Sequence, residues 1–294
     1  MNYELLIAAE QLQELLANKA AVRIFDCTFD LADAAAGHQQ FLDSHIPGAV
    51  YAHLDTALSD KHGTGENIQS RPAAASGGRH PLPSREKFAT WLSGVGLAND
   101  MQAVVYDRNG ANYCGRLWWM LKWVGHAKVA VLDGGLQAWR AADGPVTRGT
   151  EPAHFQTGFK ITSELAKLTN TKTVAENLGR PIQTLIDARG EPRFRGEVEP
   201  LDPIAGHIPG ALNRPFSQNL ASDGRFKPAQ QLRNEFETLL AGRDATTVVH
   251  HCGSGVSAAP NILAMQIAGF GMTGLYAGSW SEWCSDSSRP MAQG

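Results

Sequence analysis

Cysteine is scarce in this sequence of 294 residues, which contains only four. They lie far apart in the chain and never form a C-x-x-C pair: Cys27, Cys114, Cys252 and Cys284. A disulfide framework or a four-cysteine zinc site would need closer or paired cysteines, so both are disfavoured. Scattered cysteines of this kind are typical of a protein from a reducing compartment.

Long apolar runs and an excess of basic charge are also missing. No apolar stretch approaches the ~18 residues of a membrane-spanning helix. The N-terminal segment carries Glu4, Glu10 and Glu14 where a signal peptide would be basic and then uniformly apolar. The formal charge is -3, which gives neither a basic surface for nucleic acid nor a polybasic patch for a membrane. We therefore expect a cytoplasmic protein that binds neither nucleic acid nor membranes.

The sequence contains an internal repeat. The phrase HIPGA occurs at His45–Ala49 and again at His207–Ala211, an offset of 162 residues. Later pairs of segments have a constant offset of 144 residues: AVVYD and TVVHH, and then VLDGGLQAW and LYAGSWSEW. The first copy therefore contains 18 extra residues, which we place between Ser59 and Gly78. The chain consists of two copies of one domain.

Each copy alternates short apolar, β-rich segments with amphipathic helical segments, such as Leu12–Leu16 and Leu232–Leu240. This alternation predicts an α/β fold in which each copy is a parallel sheet with helices on both faces. We place the first domain at residues 1–143, a polar linker at 144–160 and the second domain at 161–294. In sheets of this kind the chemistry lies beyond the carboxyl ends of the strands, where loops lead into helices.

One strand–loop–helix junction has the composition of a catalytic site. A predicted strand, Thr247–His251, is followed by the loop Cys252–Ser257 (CGSGVS) and by a predicted helix, Ala258–Ala268. Two glycines in this short loop let backbone N–H groups converge into an anion-binding nest, and the helix N-terminus adds a partial positive charge. Both effects favour the thiolate form of Cys252, which predicts that this residue is a nucleophile.

The alternative is that Cys252 is a small buried apolar residue in a tight turn. The repeat argues against this, because at the offset of 144 residues Cys252 corresponds to Arg108, and a turn does not require cysteine in one copy and arginine in the other. A Cys-x5-Arg phosphatase is disfavoured because the sixth residue after Cys252 is Ala258. A papain-like hydrolase is disfavoured since His250 and His251 are strand neighbours pointing to opposite faces, so at most one approaches the thiol.

Four phrases of the sequence now combine into a pattern. They are HIPGA in both copies, DARGEPRFRG at Asp187–Gly196, CGSGVSA at Cys252–Ala258 and GSWSEW at Gly278–Trp283. Together they resemble the tandem-domain sulfurtransferases, the rhodanese and 3-mercaptopyruvate sulfurtransferase family, over nearly the whole chain. The resemblance implies two tandem rhodanese-like domains, of which only the second contains the nucleophile.

The resemblance also implies roles for individual residues. Arg193 in RFRG matches the arginine that binds the substrate carboxylate, and Arg189 in DAR matches a supporting arginine. A proton relay, which would serve the donor thiol and the enolate left after carbon–sulfur cleavage, is matched by Ser254, His80 and Asp55. Substrate binding extends over the rest of the loop: Gly253, Gly255, Val256 and Ser257. Family members usually carry a second substrate arginine soon after the first, where this chain reads EVEPLD.

Simpler roles remain open for three of these residues from the sequence alone. Arg193 lies in a charge-rich stretch and is equally compatible with an exposed surface arginine. Asp55 is equally compatible with a turn or helix-cap residue. His80 is equally compatible with an exposed loop position. Cys252 and its loop therefore carry the prediction of function.

The charge of the loop indicates the sulfur donor. Thiosulfate-using members resemble Cys-Arg-Lys-Gly-Val-Thr, with two cations facing a dianion, whereas Gly253 and Ser254 are neutral. A monoanion such as 3-mercaptopyruvate fits this loop better. We expect sulfur to pass to a Cys252 persulfide with release of pyruvate, and then to thioredoxin, a small thiol or cyanide, without a metal or organic cofactor. The alternatives are a thiosulfate sulfurtransferase and a non-catalytic persulfide carrier.

Overall fold

The computed structural model describes residues 2–61 and 74–294. The first copy contains five strands and five helices in these residues: β1 (Leu6–Ile7), α1 (Ala9–Ala17), β2 (Val22–Asp26), α2 (Ala36–Asp43), β3 (Val50–Tyr51), α3 (Arg85–Gly94), β4 (Gln102–Tyr106), α4 (Cys114–Trp123), β5 (Val129–Leu132) and α5 (Gly135–Ala141). The strands form one parallel sheet in the order β1-β5-β4-β2-β3.

The second copy repeats this arrangement. Its elements are β6 (Lys167–Thr169), α6 (Thr171–Glu176), β7 (Thr184–Asp187), α7 (Glu191–Phe194), β8 (Leu212–Asn213), α8 (Ala229–Leu240), β9 (Val248–His251), α9 (Ala258–Ile267), β10 (Gly274–Tyr276) and α10 (Ser279–Trp283), with short 3-10 turns at Phe216–Asn219 and Ala245–Thr247. The strand order is β6-β10-β9-β7-β8, again entirely parallel. The predicted α/β fold, with a parallel sheet in each copy, is confirmed.

Burial patterns explain why these segments form these elements. Strand β4 is buried along all five residues, as expected for a parallel strand covered on both faces. Helix α8 buries only Leu232, Phe236 and Leu240, which are four residues apart and therefore share one face. Helix α8 has 12 residues, and no helix of the described residues is long and apolar enough to cross a membrane.

The helix and strand ends near the predicted site differ slightly from expectation. The predicted helix Ala258–Ala268 ends one residue earlier, at Ile267. The strand predicted from Thr247 begins at Val248, because Ala245–Thr247 form a 3-10 turn. The carboxylate of Asp244 accepts a hydrogen bond of 2.8 Å from the amide of Thr246 and so stabilises that turn.

The chain divides into two compact units that exchange segments between the copies. The first comprises Met1–Leu58, Ser84–Leu165 and Ala221–Phe226, and the second comprises Ser59–Pro83, Ala166–Leu220 and Lys227–Gly294. Segment 59–83 thus precedes β4 in sequence but belongs to the unit of Cys252. Much of the extra sequence predicted between Ser59 and Gly78 falls on residues 62–73, which lie outside the described residues. The domain bounds 1–143, 144–160 and 161–294 remain a prediction.

Residues 144–160 belong to the first unit. Thr147 forms an antiparallel bridge with His45, the first residue of HIPGA. Oε1 of Glu151 lies 3.0 Å from Nε2 of the same histidine and accepts a 2.9 Å hydrogen bond from the amide of Gly48. The histidine of the first HIPGA phrase is therefore a structural anchor for this part of the chain.

Candidate active site

The loop Cys252–Ser257 connects the carboxyl end of β9 to the N-terminus of α9. Its backbone is fixed to the start of α10. The amide of Cys252 donates to Oγ of Ser279 (3.0 Å), and the carbonyl of Cys252 accepts from the amide of Trp280 (3.0 Å). The carbonyl of Gly253 accepts from the amide of Ser281 (2.9 Å). The backbone on both sides of the thiol is therefore held rigidly before any ligand binds.

Two residues with left-handed backbone conformations allow this close packing. Gly255 has a φ of +73°, and a Cβ atom there would lie 2.3 Å from the carbonyl oxygen of Ala277, so only glycine fits. Ser279 has a φ of +56°, which is unusual for a residue with a side chain. Its hydroxyl donates to the carbonyl of Tyr276 (3.0 Å) and accepts from Cys252. Ser279 is a supporting residue that the sequence reasoning missed, although it lies within the GSWSEW phrase.

The first copy has an acidic residue at the position that corresponds to Cys252. Strand β4 ends one residue before Asp107, and β9 ends one residue before Cys252. The amide of Leu136 donates to the carbonyl of Asp107 as the amide of Trp280 donates to that of Cys252. The expected correspondence with Arg108 is therefore wrong. The constant offset failed because the first loop has one more residue before its helix.

The carboxylate of Asp107 reveals what this loop geometry binds. It is buried and accepts four backbone hydrogen bonds of 2.8–3.0 Å, whose donors are the amides of Asn109, Ala111, Tyr113 and Cys114. The loop therefore directs its N–H groups at the side chain of its first residue and stabilises a negative charge there. This copy has the anion nest but no nucleophile.

The second loop begins with a thiol where the first begins with a carboxylate. Among the described residues, no acceptor is hydrogen-bonded to the amides of Ser254, Val256 or Ser257. Cys252 is itself buried, at 2% exposure. Amides without an acceptor at the start of such a loop can hold an anion, as the amides of the first loop do.

His80 and Ser254, two members of the predicted relay, lie together in the second unit. Nδ1 of His80 is 2.7 Å from Oγ of Ser254, and both side chains are buried. Gly78 makes this approach possible, since a Cβ atom there would lie 2.5 Å from the carbonyl oxygen of Gly278. His80 is therefore a buried partner of the loop in this structure and not an exposed loop residue.

Asp55, the third member of the predicted relay, belongs to the first unit. It follows β3, and its amide donates to Nδ1 of His53 over 3.1 Å. Its role in a relay with His80 and Ser254 remains a proposal.

Two arginine side chains flank the loop beside the thiol. A Cβ atom on Gly253 would lie 3.2 Å from Nη2 of Arg79 and 3.5 Å from Nη1 and Nη2 of Arg193. Glycine therefore leaves space for both guanidinium groups next to the nucleophile. Arg79 was not predicted from the sequence, because the second arginine was expected after Arg193 in the chain. Its position directly before His80 in GRHPLP is the signal that could have found it.

Arg189 has a different role from the other two arginines. Its side chain is 2% exposed and binds Asp187 through Nε (3.0 Å) and Nη2 (2.7 Å), and Nη2 also donates to the carbonyl of Gly206 (2.7 Å). The guanidinium carbon lies 5.1 Å from the ring centre of Trp280. Its donors are thus occupied by buried partners, which include Glu199 at 3.4 Å from Nη1, and Arg189 supports α10 through its contact with Trp280.

The two histidines before Cys252 are buried and neutral. Burial lowers the pKa of His250 to about 3, and burial also lowers the pKa of His251. Nε2 of His250 lies 3.2 Å from Sδ of Met265, and Nδ1 of His251 lies 3.8 Å from Asp187. Neither of these two contacts is with the thiol of Cys252. The described residues contain no cluster of three or more His, Cys, Asp or Glu side chains suited to a metal ion.

Comparisons with known proteins identify the family. A family model described as "Rhodanese-like domain" matches residues 8–142 and again residues 165–286. The chain belongs to the rhodanese-like family. The two rhodanese-like matches correspond to the two parallel sheets, and Cys252 with its loop lies in the second.

Relatives of known name match over nearly the full length. A probable 3-mercaptopyruvate sulfurtransferase of Pseudomonas aeruginosa is 43% identical, with 98% of each chain covered. A putative thiosulfate sulfurtransferase, SseB, of Mycobacterium tuberculosis is 37% identical, covering 99% of this chain and 98% of its own. The crystal structure of SseA from Escherichia coli, described as a 3-mercaptopyruvate sulfotransferase, superimposes with a TM-score of 0.76 at 30% identity, covering 95% of this rhodanese-like chain and all of that one.

Proposed function

We propose that this protein is a 3-mercaptopyruvate sulfurtransferase with Cys252 as the nucleophile. The Cys252 thiolate attacks the sulfur of the donor, and a new sulfur–sulfur bond forms as the carbon–sulfur bond breaks. The electron pair of the broken bond stays on carbon, which gives the enolate of pyruvate. A proton then reaches that carbon, pyruvate leaves, and Cys252 carries the outer sulfur as a persulfide.

The observation that carries the donor assignment is the contact between Ser254 and His80. Cleavage of 3-mercaptopyruvate needs a proton at the departing carbon, whereas cleavage of thiosulfate releases sulfite and needs none. The hydroxyl of Ser254 lies in the loop, and Nδ1 of His80 lies 2.7 Å from it. A serine polarised by an imidazole transfers protons at such a site. We assign Asp55 to the same relay, as the group that orients the imidazole.

The surrounding charges support an anionic donor. Arg79 and Arg193 lie beside Gly253, where a carboxylate next to the reacting sulfur would be placed. The loop residues Gly253 and Ser254 add no cation of their own. The relatives from P. aeruginosa and E. coli, which are named for 3-mercaptopyruvate, support the same assignment.

The second step passes the outer sulfur to an acceptor. We propose a thiol, such as thioredoxin or a small thiol, or cyanide: its nucleophile bonds to the outer sulfur, the sulfur–sulfur bond breaks, and the Cys252 thiolate returns. The four free cysteines support a reducing compartment, and we propose the cytoplasm.

The first test is the mass of the protein after incubation with 3-mercaptopyruvate. Cys252 should gain the mass of one sulfur, about 32 Da, and pyruvate should appear in equal amount; the adduct should be lost on addition of a thiol. Cys252→Ser should form no adduct, whereas Cys284→Ser, which changes a buried cysteine of the same unit, should still form it. Turnover by Cys252→Ser would refute the mechanism. A persulfide accepted only from a protein donor would identify a carrier in place of an enzyme.

Thiosulfate is the second candidate donor, because the M. tuberculosis relative is named for it and two arginines flank the loop. The values of kcat/KM for the two donors, measured with one acceptor, decide between them. We expect the value for 3-mercaptopyruvate to be the larger by at least tenfold. A larger value for thiosulfate would overturn the donor assignment and leave Cys252 as the nucleophile.

A further inference from the structure

Two buried carboxylates form ion pairs with Arg79 and Arg193, the two arginines beside Gly253. Oε1 of Glu199 lies 2.7 Å from Nη2 of Arg193, and Oε2 lies 3.2 Å from its Nε. Asp202 bridges both arginines: Oδ2 lies 3.3 Å from Nη2 of Arg193, and Oδ1 contacts Nη1 of Arg79. The side chains of Glu199 and Asp202 are only 3% and 2% exposed. The segment EVEPLD, which lacks the expected second arginine, thus supplies two anions to the site.

These carboxylates are built into the fold. Oε1 of Glu199 also accepts hydrogen bonds from the amides of Leu201 (3.0 Å) and Asp202 (3.1 Å), so the turn of its own segment fixes it. Burial, the largest single effect, opposes ionisation of Glu199, but the hydrogen bonds from Arg193 and from the amides of Leu201 and Asp202, together with the charge of Arg193, outweigh it and leave the pKa of Glu199 below its ordinary value. Glu199 therefore contributes a negative charge beside Arg193.

The charges of this group cancel. Arg189 belongs to the same group, since its Nη1 lies 3.4 Å from Oε2 of Glu199 and its Nη2 lies 2.7 Å from Asp187. The ion-paired group holds three positive charges (Arg79, Arg189 and Arg193) and three negative ones (Asp187, Glu199 and Asp202). A donor anion at the loop can therefore accept directed hydrogen bonds from the guanidinium groups. The net positive potential that it meets there is small, because the carboxylates cancel it. We take a separation of about 7 Å and an effective dielectric constant of about 20–40. Removing one of the carboxylate charges would then raise the affinity for a donor by roughly tenfold for each negative charge that the donor carries.

We propose that Glu199 and Asp202 determine the charge selectivity of the donor site. By neutralising Arg79 and Arg193 they favour a monoanion, which needs two directed hydrogen bonds, over a dianion, which needs a net positive field. This inference rests on the proposed function and names the residues that tune its substrate. They act through the arginines and are positioning residues.

The test compares Glu199→Gln with the wild type and with Glu197→Gln. Glu197 lies in the same segment, is 54% exposed and binds Arg195 away from the loop, so it is a matched control. The ratio of kcat/KM for thiosulfate to that for 3-mercaptopyruvate should rise about tenfold in Glu199→Gln, mainly through the KM for thiosulfate, and should stay within twofold in Glu197→Gln. Asp202→Asn, which removes the other charge, should change the ratio in the same direction. A ratio within twofold of wild type in both site variants, or a lower ratio, would overturn the proposal.

A binding measurement separates this inference from the proposed function, since it needs no sulfur transfer. Calorimetric titration with sulfate, a dianion, and pyruvate, a monoanion, gives two dissociation constants for each protein. In Glu199→Gln the affinity for sulfate should rise about tenfold relative to that for pyruvate. If the wild type transfers no sulfur from either donor and this selectivity still changes, the charge inference stands and the proposed function fails. If transfer occurs and the selectivity of binding is unchanged, only the charge inference fails.

Discussion

The carboxylate of Asp107 occupies in the first copy the position that the thiol of Cys252 occupies in the second. Both follow the last residue of the central strand, and both begin a loop that turns its amides inward. The four amides on Asp107 demonstrate that this loop prefers an anion as its first side chain. The preference for an anion is thus a property of the loop backbone in the first copy, and the loop of Cys252 begins at the corresponding place in the second.

Replacing Cys252 by aspartate should inactivate the protein and leave it more stable than Cys252→Ser. The carboxylate of Cys252→Asp would accept loop amides as Asp107 does, which is worth about 1–2 kcal/mol relative to a neutral side chain. We expect a melting temperature several degrees above that of Cys252→Ser, with no persulfide formed in either variant. Differential scanning calorimetry of the two variants makes the comparison. A lower melting temperature for the aspartate variant would contradict an open anion nest around the thiol.

Replacing Asp107 by asparagine should destabilise the first unit. One carboxylate oxygen is lost, and an NH2 group then faces amide donors that have been buried with their partner. Leaving such donors unsatisfied costs about 2–3 kcal/mol. The urea midpoint should fall, and Asp43→Asn, at an exposed position on α2, is the control with little expected change. A midpoint unchanged by Asp107→Asn would mean that the four hydrogen bonds contribute nothing to stability.

Replacing Ser254 by alanine should lower kcat with 3-mercaptopyruvate far more than kcat with thiosulfate. Loss of the hydroxyl removes proton transfer to the departing carbon, so kcat with 3-mercaptopyruvate should fall by about 10²–10³. Thiosulfate releases sulfite without that proton, so its kcat should change by less than about threefold. His80→Asn should give the same pattern because the imidazole contacts the same hydroxyl. Ser285→Ala, at an exposed position two residues beyond α10, is the control. An equal loss of kcat with both donors in Ser254→Ala would argue for a purely structural role of Ser254.

Acid should destabilise the fold through its buried histidines. The pKa of His250 is about 3 when folded, against an ordinary 6.5, so between these pH values the unfolded chain binds the extra proton. The free energy of unfolding therefore rises with pH across that window and falls on acidification, by up to about 1.4 kcal/mol per pH unit for this group. In His250→Gln the slope between pH 6.5 and 4.5 should be shallower by that amount. Equal slopes in the wild type and in His250→Gln would contradict a neutral buried His250.

The sequence predicted the features that depend on local pattern. The repeat gave two copies of one α/β domain, and the glycines after a buried strand indicated Cys252 and its nest. The predicted correspondence of Cys252 with Arg108 was wrong because the first loop has one more residue than the second. A constant offset between the two copies does not reveal an insertion of one residue. Arg79 was missed because its partner Asp202 lies 123 residues away, a separation over which no local pattern operates. The charge cancellation by Glu199 was missed for a related reason: which face of a short irregular segment is buried is decided by tertiary packing.

The exchange of segments between the two units means that neither half of the gene encodes one complete unit. The unit of Cys252 includes residues 59–83, and with them His80 and Arg79, whereas the first unit includes Ala221–Phe226. A chain shortened to residues 161–294 would keep the nucleophile and lose the imidazole and one guanidinium. The second half of the gene therefore does not encode all the groups that surround its own cysteine.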